Sequence, residues 1–368
     1  MNIAKIELSV IEIPLKSPFV THLGIVKNRE GIIVKITDQD GHVGLGEGVA
    51  FSTPWYTEET VKTSMHMLED VLIPLLLENP VQHPEQVSSL FQSVRRNQMA
   101  KAGVEMALWD LFAKQQQMSL SKLLGGTREK IASGVVVATD SLTNARRQID
   151  NYLAEGYQRI KLKISPGQDY TFLAEIRKHY PDLPIIADAN SSYSLGDLNR
   201  LKALDEFHLL MIEQPLAHDD LIDHAILQKE IKTPICLDES IVSFEDARKA
   251  IEMGSCGVIN IKAGRVGGLL EAKRIHDYCL EREIPVWCGG MIEFGVSRAH
   301  NIALASLAGF TIPGDISASS RFWEEDIIAP EVTVENGYIA VPDKPGIGYT
   351  LNEKRLQQCL LGKKEFRF

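Results

Sequence analysis

Cysteine is scarce in this chain: five in 368 residues, Cys236, Cys256, Cys279, Cys288 and Cys359. The number is odd and no CxxC pair occurs, which argues against a disulfide framework or a zinc site. The thiols read as small apolar residues in a reducing cytoplasm. There is no run of roughly 18 apolar residues, so no membrane span is expected. Charges interrupt the start, Met1-Asn2-Ile3-Ala4-Lys5-Ile6-Glu7-Leu8, which therefore does not read as a signal peptide. Cations are the minority, with 39 Lys plus Arg against 49 Asp plus Glu and a net charge of −10. Without a basic cluster or a block of like charges, nucleic acid is not an expected partner. No sequence repeat suggests a solenoid.

The chain does have the mix of a globular protein, 44% hydrophobic and 24% charged. Its length suits two domains, or one large barrel with additions. Ile6, Leu8 and Val10 alternate with Lys5, Glu7 and Ser9, a strand period. The apolar run 31–36 enters the turn signal Asp38-Gln39-Asp40-Gly41 and continues as His42–Glu47, which predicts a hairpin. From Glu58 to about Gln116 the pattern is helical, and the stretch ends at Gly125 and Gly126. From about Lys130 short apolar strands alternate with amphipathic helices. Eight strands are expected, at 134–138, 159–164, 184–190, 209–215, 234–240, 257–263, 285–289 and 310–315. Ser194 with Asp197 and Ser243 with Asp246 resemble capping boxes, and Gly156 and Gly254 stand where helices should end.

This alternation predicts an α/β fold with a parallel sheet. The expected architecture is a (β/α) TIM-type barrel over about 126–324. An α+β capping domain over about 1–125 covers it, and 325–368 returns to that cap. A doubly wound open sheet is the main alternative, but it would place its site at one switch point. A barrel gathers every strand end around one mouth.

Five charged residues keep a common phase in consecutive strands: Lys163, Asp188, Glu213, Asp238 and Lys262, at spacings of 25, 25, 25 and 24 residues. One βα unit has about that length, so each sits at a similar height around one axis. Side chains alternate across a strand, so Lys161 shares a face with Lys163, Asn190 with Asp188, and Asn260 with Lys262. Three converging carboxylates repel and raise one another's pKa unless a cation lies among them. Oxygen ligands without His or Cys favour a hard cation; Mg²⁺ fits, Mn²⁺ is the alternative, and Ca²⁺ fits less well. A small-molecule carboxylate bound between the two lysines is suited to proton abstraction α to its carboxylate. The metal would stabilise the enediolate and one lysine would take the proton. Such a base must be neutral near pH 7, and nearby cations lower it. Lys161 is the candidate neighbour for Lys163, and Arg265 for Lys262.

At these residues the sequence resembles the enolase superfamily, in its muconate-lactonizing subgroup. That subgroup carries Lys-x-Lys on barrel strand two, Asp, Glu and Asp on strands three to five, and Lys on strand six. The resemblance spans essentially the whole chain, including Ala107-Leu108-Trp109-Asp110 and Leu123-Leu124-Gly125-Gly126. The segments 260–268 and 289–300 are similar to the o-succinylbenzoate synthase / N-succinylamino acid racemase branch, although Phe294 stands where that branch often has Thr or Ser. The resemblance implies that Asp188, Glu213 and Asp238 bind the metal. It makes Lys163 general base and then acid in a dehydration. Lys262 would stabilise the enediolate, or act as the opposite-face base in a racemase. The implied synthase reaction is a syn elimination of water from a cyclohexadiene carboxylate, giving a menaquinone precursor. Racemisation of N-succinylated amino acids is the runner-up, and both can share one site. A non-catalytic binder on a retired scaffold would show a lost lysine or carboxylate, and none is lost. A homo-oligomer is the family expectation.

Related activities ask for other residues. Strand seven lacks the catalytic His of a mandelate racemase, and Asp315-Ile-Ser317 breaks the Asp-x-Asp of a dipeptide epimerase. Gly264, Gly267 and Gly268 fit neither GxGxxG nor a P-loop and read as a turn. His218, His276 and His300 have no ligand spacing. Phe19, Phe51 and Trp55 lie in loops that either pack locally or cover the barrel mouth. In the family such loops contact substrate, which makes Phe19 and Phe51 candidate substrate contacts along with Met291. Glu239 follows a candidate ligand and, by strand alternation, should point to the opposite face, with a supporting role.

Overall fold

A computed structural model describes residues 1–21, 24–139 and 141–368. Near the N-terminus, β1 (Ile3–Thr21), β2 (Gly24–Asp38) and β3 (Val43–Gly48) form an antiparallel sheet. The C-terminal strand Leu360–Arg367 pairs with β1, giving the order C-terminal strand, β1, β2, β3. The alternation read from Ile6 and Leu8 is the reason this sheet has a buried face: both side chains are fully buried, as are Ile36 and Val34 opposite them.

The helical stretch is not continuous. It falls into Val61–Met67, continued through a π-helical turn (Leu68–Leu72) by Ile73–Glu78, then Glu85–Leu90 and the long α1 (Gln98–Gln115). Pro80 and Pro84 lie between Glu78 and Glu85, where they block continuation. α1 is buried along most of its length because it packs on the antiparallel sheet and on the second half of the chain. Its approach to β3 requires glycine. A Cβ at Gly44 would lie 2.1 Å from the Ala107 carbonyl oxygen, and one at Gly46 would lie 2.0 Å from that of Gly103.

The second half builds one parallel sheet from β4 (Val135–Val137), β5 (Ile160–Lys163), β6 (Ile185–Asp188), β7 (Met211–Glu213), β8 (Ile235–Leu237), β9 (Val258–Ile261) and β10 (Val286–Cys288). Neighbours in this sheet are neighbours in sequence throughout. There is no reversal of order, so the doubly wound alternative falls away.

The expected eighth strand is the exception. Residues 310–315 form only bridges, Phe310 with Val286 at one edge and Gly314 with Ser133 at the other. The Asp315 N–H donates to Cys288 O at 2.9 Å, and Gly134 N–H donates to Gly314 O at 2.7 Å. The segment thus joins both edges and closes the ring. It cannot make a full ladder, because Pro313 has no N–H to give. Ser194 and Asp197 do form a reciprocal capping box, Ser243 caps its helix, and Gly254 ends one in a left-handed conformation. All five cysteines are free and buried. Among the described residues no helix is long and apolar enough to cross a membrane.

Candidate functional site

The parallel register sets the site. Lys163 on β5 lies beside Asp188 on β6, and Asp188 beside Glu213 on β7. Asp238 follows β8 and Lys262 follows β9, so the two lysines stand at opposite ends of a row of three carboxylates. All three are almost fully buried. Lys163 Nζ is 2.7 Å from Asp188 Oδ2 and donates to Asn190 Oδ1 at 2.5 Å. Lys262 Nζ is 2.8 Å from Asp238 Oδ2 and 2.9 Å from the Tyr56 hydroxyl. Lys161 Nζ lies 3.0 Å from Glu213 Oε2, 3.3 Å from Asp188 Oδ2 and 2.6 Å from Asp315 Oδ2. Asn260 Nδ2 donates to Glu213 Oε1 at 2.9 Å.

Burial, with Asp188 and Asp238 nearby, pushes Glu213 up to about 7. Burial opposes ionisation of Asp238 as well, but Lys262 and Arg265 hold it at about 2. Asp188 is lowered too: burial is outweighed by Lys163 and Lys161. Burial pulls Lys262 down, but Asp238 and Tyr56 raise it above the ordinary lysine range. Lys161 is likewise raised, burial being outweighed by Asp315, Glu213 and Asp188.

Arg265 therefore does not have the effect expected of it. It pulls Lys262 in the expected direction, but Asp238 wins. Its guanidinium is committed to Asp238, the Tyr56 hydroxyl and the carbonyls of Ile241 and Asn260. Lys161, the expected neighbour of Lys163, is bound to three carboxylates.

Glu239 also departs from expectation. β8 ends at Leu237, so strand alternation no longer governs the chain there. Glu239 Oε1 accepts from Asn190 Nδ2 at 2.9 Å, while Oε2 is buried without a hydrogen-bond partner. Burial, Asp238 and Asp188 push its carboxyl up to about 8. An orphaned carboxylate oxygen beside three mutually repelling carboxylates is a donor set that suits a hard divalent cation. Asp38, Asp40 and His42 also bring ligand atoms within 4.8 Å of one another. That group is a closed turn, in which Asp38 accepts from the Asp40 and His42 N–H groups and from Gln115 Nε2.

A cavity of about 370 Å³ opens over the row. Phe19, Phe51 and Met291 line it, and so does Trp55. Phe51 and Trp55 pack together with ring centroids 4.7 Å apart. Phe19 lies on β1, paired with Val26 on β2, and not in a loop, so the end of that hairpin together with the loop carrying Phe51 and Trp55 covers the barrel mouth. Sequence reading missed Tyr56, Asp315 and Arg321, all of which line the same cavity. Asp315 carried a signal, a carboxylate at the end of the eighth apolar segment. Tyr56 and Arg321 lie on segments without periodicity and carried none. His276 and His300 are buried and bonded to backbone groups, and His218 is exposed. Gly267 and Gly268 have positive φ, as a turn requires.

The sequence matches two family models. Residues 5–125 match the mandelate racemase / muconate lactonizing enzyme N-terminal domain, and residues 144–355 match the enolase C-terminal domain-like model. The chain is 55% identical to an o-succinylbenzoate synthase of Geobacillus stearothermophilus, over 97% of this chain and 96% of that one. It is 46% identical to an N-succinylamino acid racemase of Thermus thermophilus, over 95% of each. A solved member of the enolase superfamily from Listeria innocua superposes with a TM-score of 0.97 at 44% identity, covering 100% of this chain and 99% of that one. With both halves matched and the site assembled on successive strand ends, the chain belongs to the mandelate racemase / muconate lactonizing enzyme family of the enolase superfamily.

Proposed function

We propose that the protein is an o-succinylbenzoate synthase, dehydrating 2-succinyl-6-hydroxy-2,4-cyclohexadiene-1-carboxylate. The observation that carries this reading is the placement of Lys163 and Lys262 at opposite ends of the Asp188–Glu213–Asp238 row. The full-length similarity to synthases supports it.

Asp188, Glu213 and Asp238 would hold a divalent cation, Mg²⁺ or Mn²⁺, with Glu239 and Asn190 behind them. When bound, such a cation supplies Lewis-acid stabilisation of the charge that develops on the substrate carboxylate. Lys163 takes the proton α to that carboxylate and returns it to the departing hydroxyl on the same face, completing a syn elimination. Lys262, held cationic by Asp238, stabilises the enediolate from the other side. Lys161 fixes the positions of Glu213 and Asp188. Phe19 and Phe51, on the capping part of the chain, exclude water above the substrate. Five free thiols fit a cytoplasmic enzyme.

The two-lysine arrangement also favours a second reading, racemisation of N-succinylamino acids, in which either lysine, in its neutral form, removes the proton from its own face; a cation competing with Lys262 for Asp238 would favour that form of Lys262. One experiment separates the two. The protein is incubated with Mg²⁺ in D₂O, with the cyclohexadiene substrate in one sample and an N-succinylamino acid in another. Dehydration without α-proton exchange supports the synthase alone; exchange with poor dehydration overturns the ranking. No turnover of either, with metal bound, overturns both.

A further inference from the structure

The cations lining the cavity are not equivalent. Lys161, Lys163 and Lys262 are paired with the carboxylates already described, and Arg298 lies against Asp326. Arg321 lines the same cavity. Among the described residues it has no carboxylate within ion-pair distance.

Four contacts hold its guanidinium in place. Arg321 Nη1 donates to the Tyr152 hydroxyl at 2.8 Å, and Nη2 donates to Val136 O at 2.7 Å. The guanidinium lies over two rings, 5.3 Å from the centroid of Tyr152 and 5.6 Å from that of Phe322. The neighbouring backbone is tied to the capping part of the chain: Lys16 N–H donates to Phe322 O at 2.9 Å, and Lys16 Nζ to Ser320 O at 3.0 Å. A guanidinium held by two bonds and two rings loses little freedom when it gains a ligand. Its Nε–H and remaining amino hydrogens stay available for a planar, bidentate acceptor.

The topology says where that acceptor would lie. Val136 belongs to β4 and is paired with Lys161 on β5. Arg321, at the end of the turn Ser319–Arg321, therefore stands on the Lys163 side of the mouth, bonded to the strand next to β5 and away from Lys262. A substrate whose reacting carboxylate sits over the Asp188–Glu213–Asp238 row, and which carries a second anionic arm, can extend that arm toward β4.

We infer that Arg321 recognises the distal carboxylate of a substrate's succinyl arm, and so sets the preference for substrates with two carboxylates. This rests on the proposed function for the identity of the ring carboxylate, but the recognition itself does not depend on turnover.

The test compares two ligands in the presence of Mg²⁺ by calorimetry: 2-succinylbenzoate, and 2-butanoylbenzoate, in which a methyl replaces the distal carboxylate. The wild type should bind the first about 10- to 100-fold more tightly, the range for a charge-assisted hydrogen bond. Arg321→Met should lose most of that preference by weakening 2-succinylbenzoate alone, and Arg321→Lys should keep part of it. Equal binding of both ligands by the wild type would overturn the inference. So would an Arg321→Met protein that weakens both ligands alike, because Arg321 would then act only by holding Tyr152 and Val136. If the preference is found but the cyclohexadiene is not dehydrated, the proposed reaction fails and the recognition stands.

Discussion

Glu105 Oε2 accepts a hydrogen bond at 2.8 Å from the backbone N–H of Leu269. The carboxylate comes from α1, in the N-terminal part of the chain, and the N–H opens a barrel helix, Leu269–Glu281. Glu105 Oε1 accepts from Leu270 N–H and from Trp109 Nε1. The unsatisfied donors of a helix start are thus met across the junction between the two halves. Glu47 does the same elsewhere, accepting from Phe294 and Ser297 N–H at the start of Gly295–Ala305.

This junction should titrate. Burial pushes Glu105 up to about 7, against its hydrogen bonds, so the folded chain holds that proton more tightly than the unfolded chain does. The sign follows: the contribution is complete below about pH 4.5 and is lost as pH rises through about 7. Glu47, pushed up by burial to about 8, acts in the same direction. Glu105→Gln removes the titration. Urea unfolding of the wild type and of this variant between pH 4.5 and 8 should show the wild type losing ground relative to the variant. A difference that does not vary with pH would refute the assignment.

Gly268 precedes the same helix with φ +126°, and a Cβ there would lie 2.3 Å from Glu105 Oε2. Gly268→Ala should cost about 1–3 kcal/mol from backbone strain, and more from displacing the carboxylate. The second part is separable by a double-mutant cycle. The glycine substitution should cost less in a Glu105→Ala background, because the obstructing side chain is gone. Additive effects would show that the two residues do not meet.

These relationships mark the limit of what the sequence discloses. The row from Lys163 to Lys262 is legible because each residue repeats once per βα unit, so phase along the chain becomes position around a ring. The strand order was legible for the same reason. Contacts between distant, non-repeating segments were not. Tyr56 reaches Lys262 from a loop 206 residues away, and Asp315 reaches Arg159 across 156 residues. Alternation misplaced Glu239 because the strand stops before it. The 310–315 segment read as a strand because its apolar residues outweighed Pro313, whose missing N–H decides the matter.

The two lysines should separate by face. With an N-succinylamino acid in D₂O, Lys163→Ala should abolish α-proton exchange of one enantiomer, and Lys262→Ala that of the other. Dehydration of the cyclohexadiene should fall by at least about 100-fold in Lys163→Ala. Mg²⁺ binding should persist in both, because Asp188, Glu213 and Asp238 remain. The readouts are proton NMR for exchange and absorbance for dehydration. Retained exchange of both enantiomers in either variant would refute the assignment.

Asp315 supports a stability prediction independent of turnover. Its Oδ1 lies 2.7 Å from Arg159 Nη1 and its Oδ2 lies 2.6 Å from Lys161 Nζ. Both cations are buried, with side chains 1% and 6% exposed. Burial opposes ionisation of Asp315, yet Lys161 and Arg159 hold its carboxyl well below the usual range. Asp315→Asn leaves two buried cations facing a neutral amide. Removing one partner of a buried pair typically costs about 3–5 kcal/mol, far above the roughly 0.5 kcal/mol of an ordinary surface change. The lowered value fixes the sign of the pH dependence. The contribution is present above the carboxyl's ordinary range and fades as pH falls toward its folded value, so wild type and variant should converge in acid. Urea midpoints at pH 7 and pH 3 check both statements. A variant as stable as the wild type at pH 7 would mean that Glu213 and Asp188 alone satisfy Lys161.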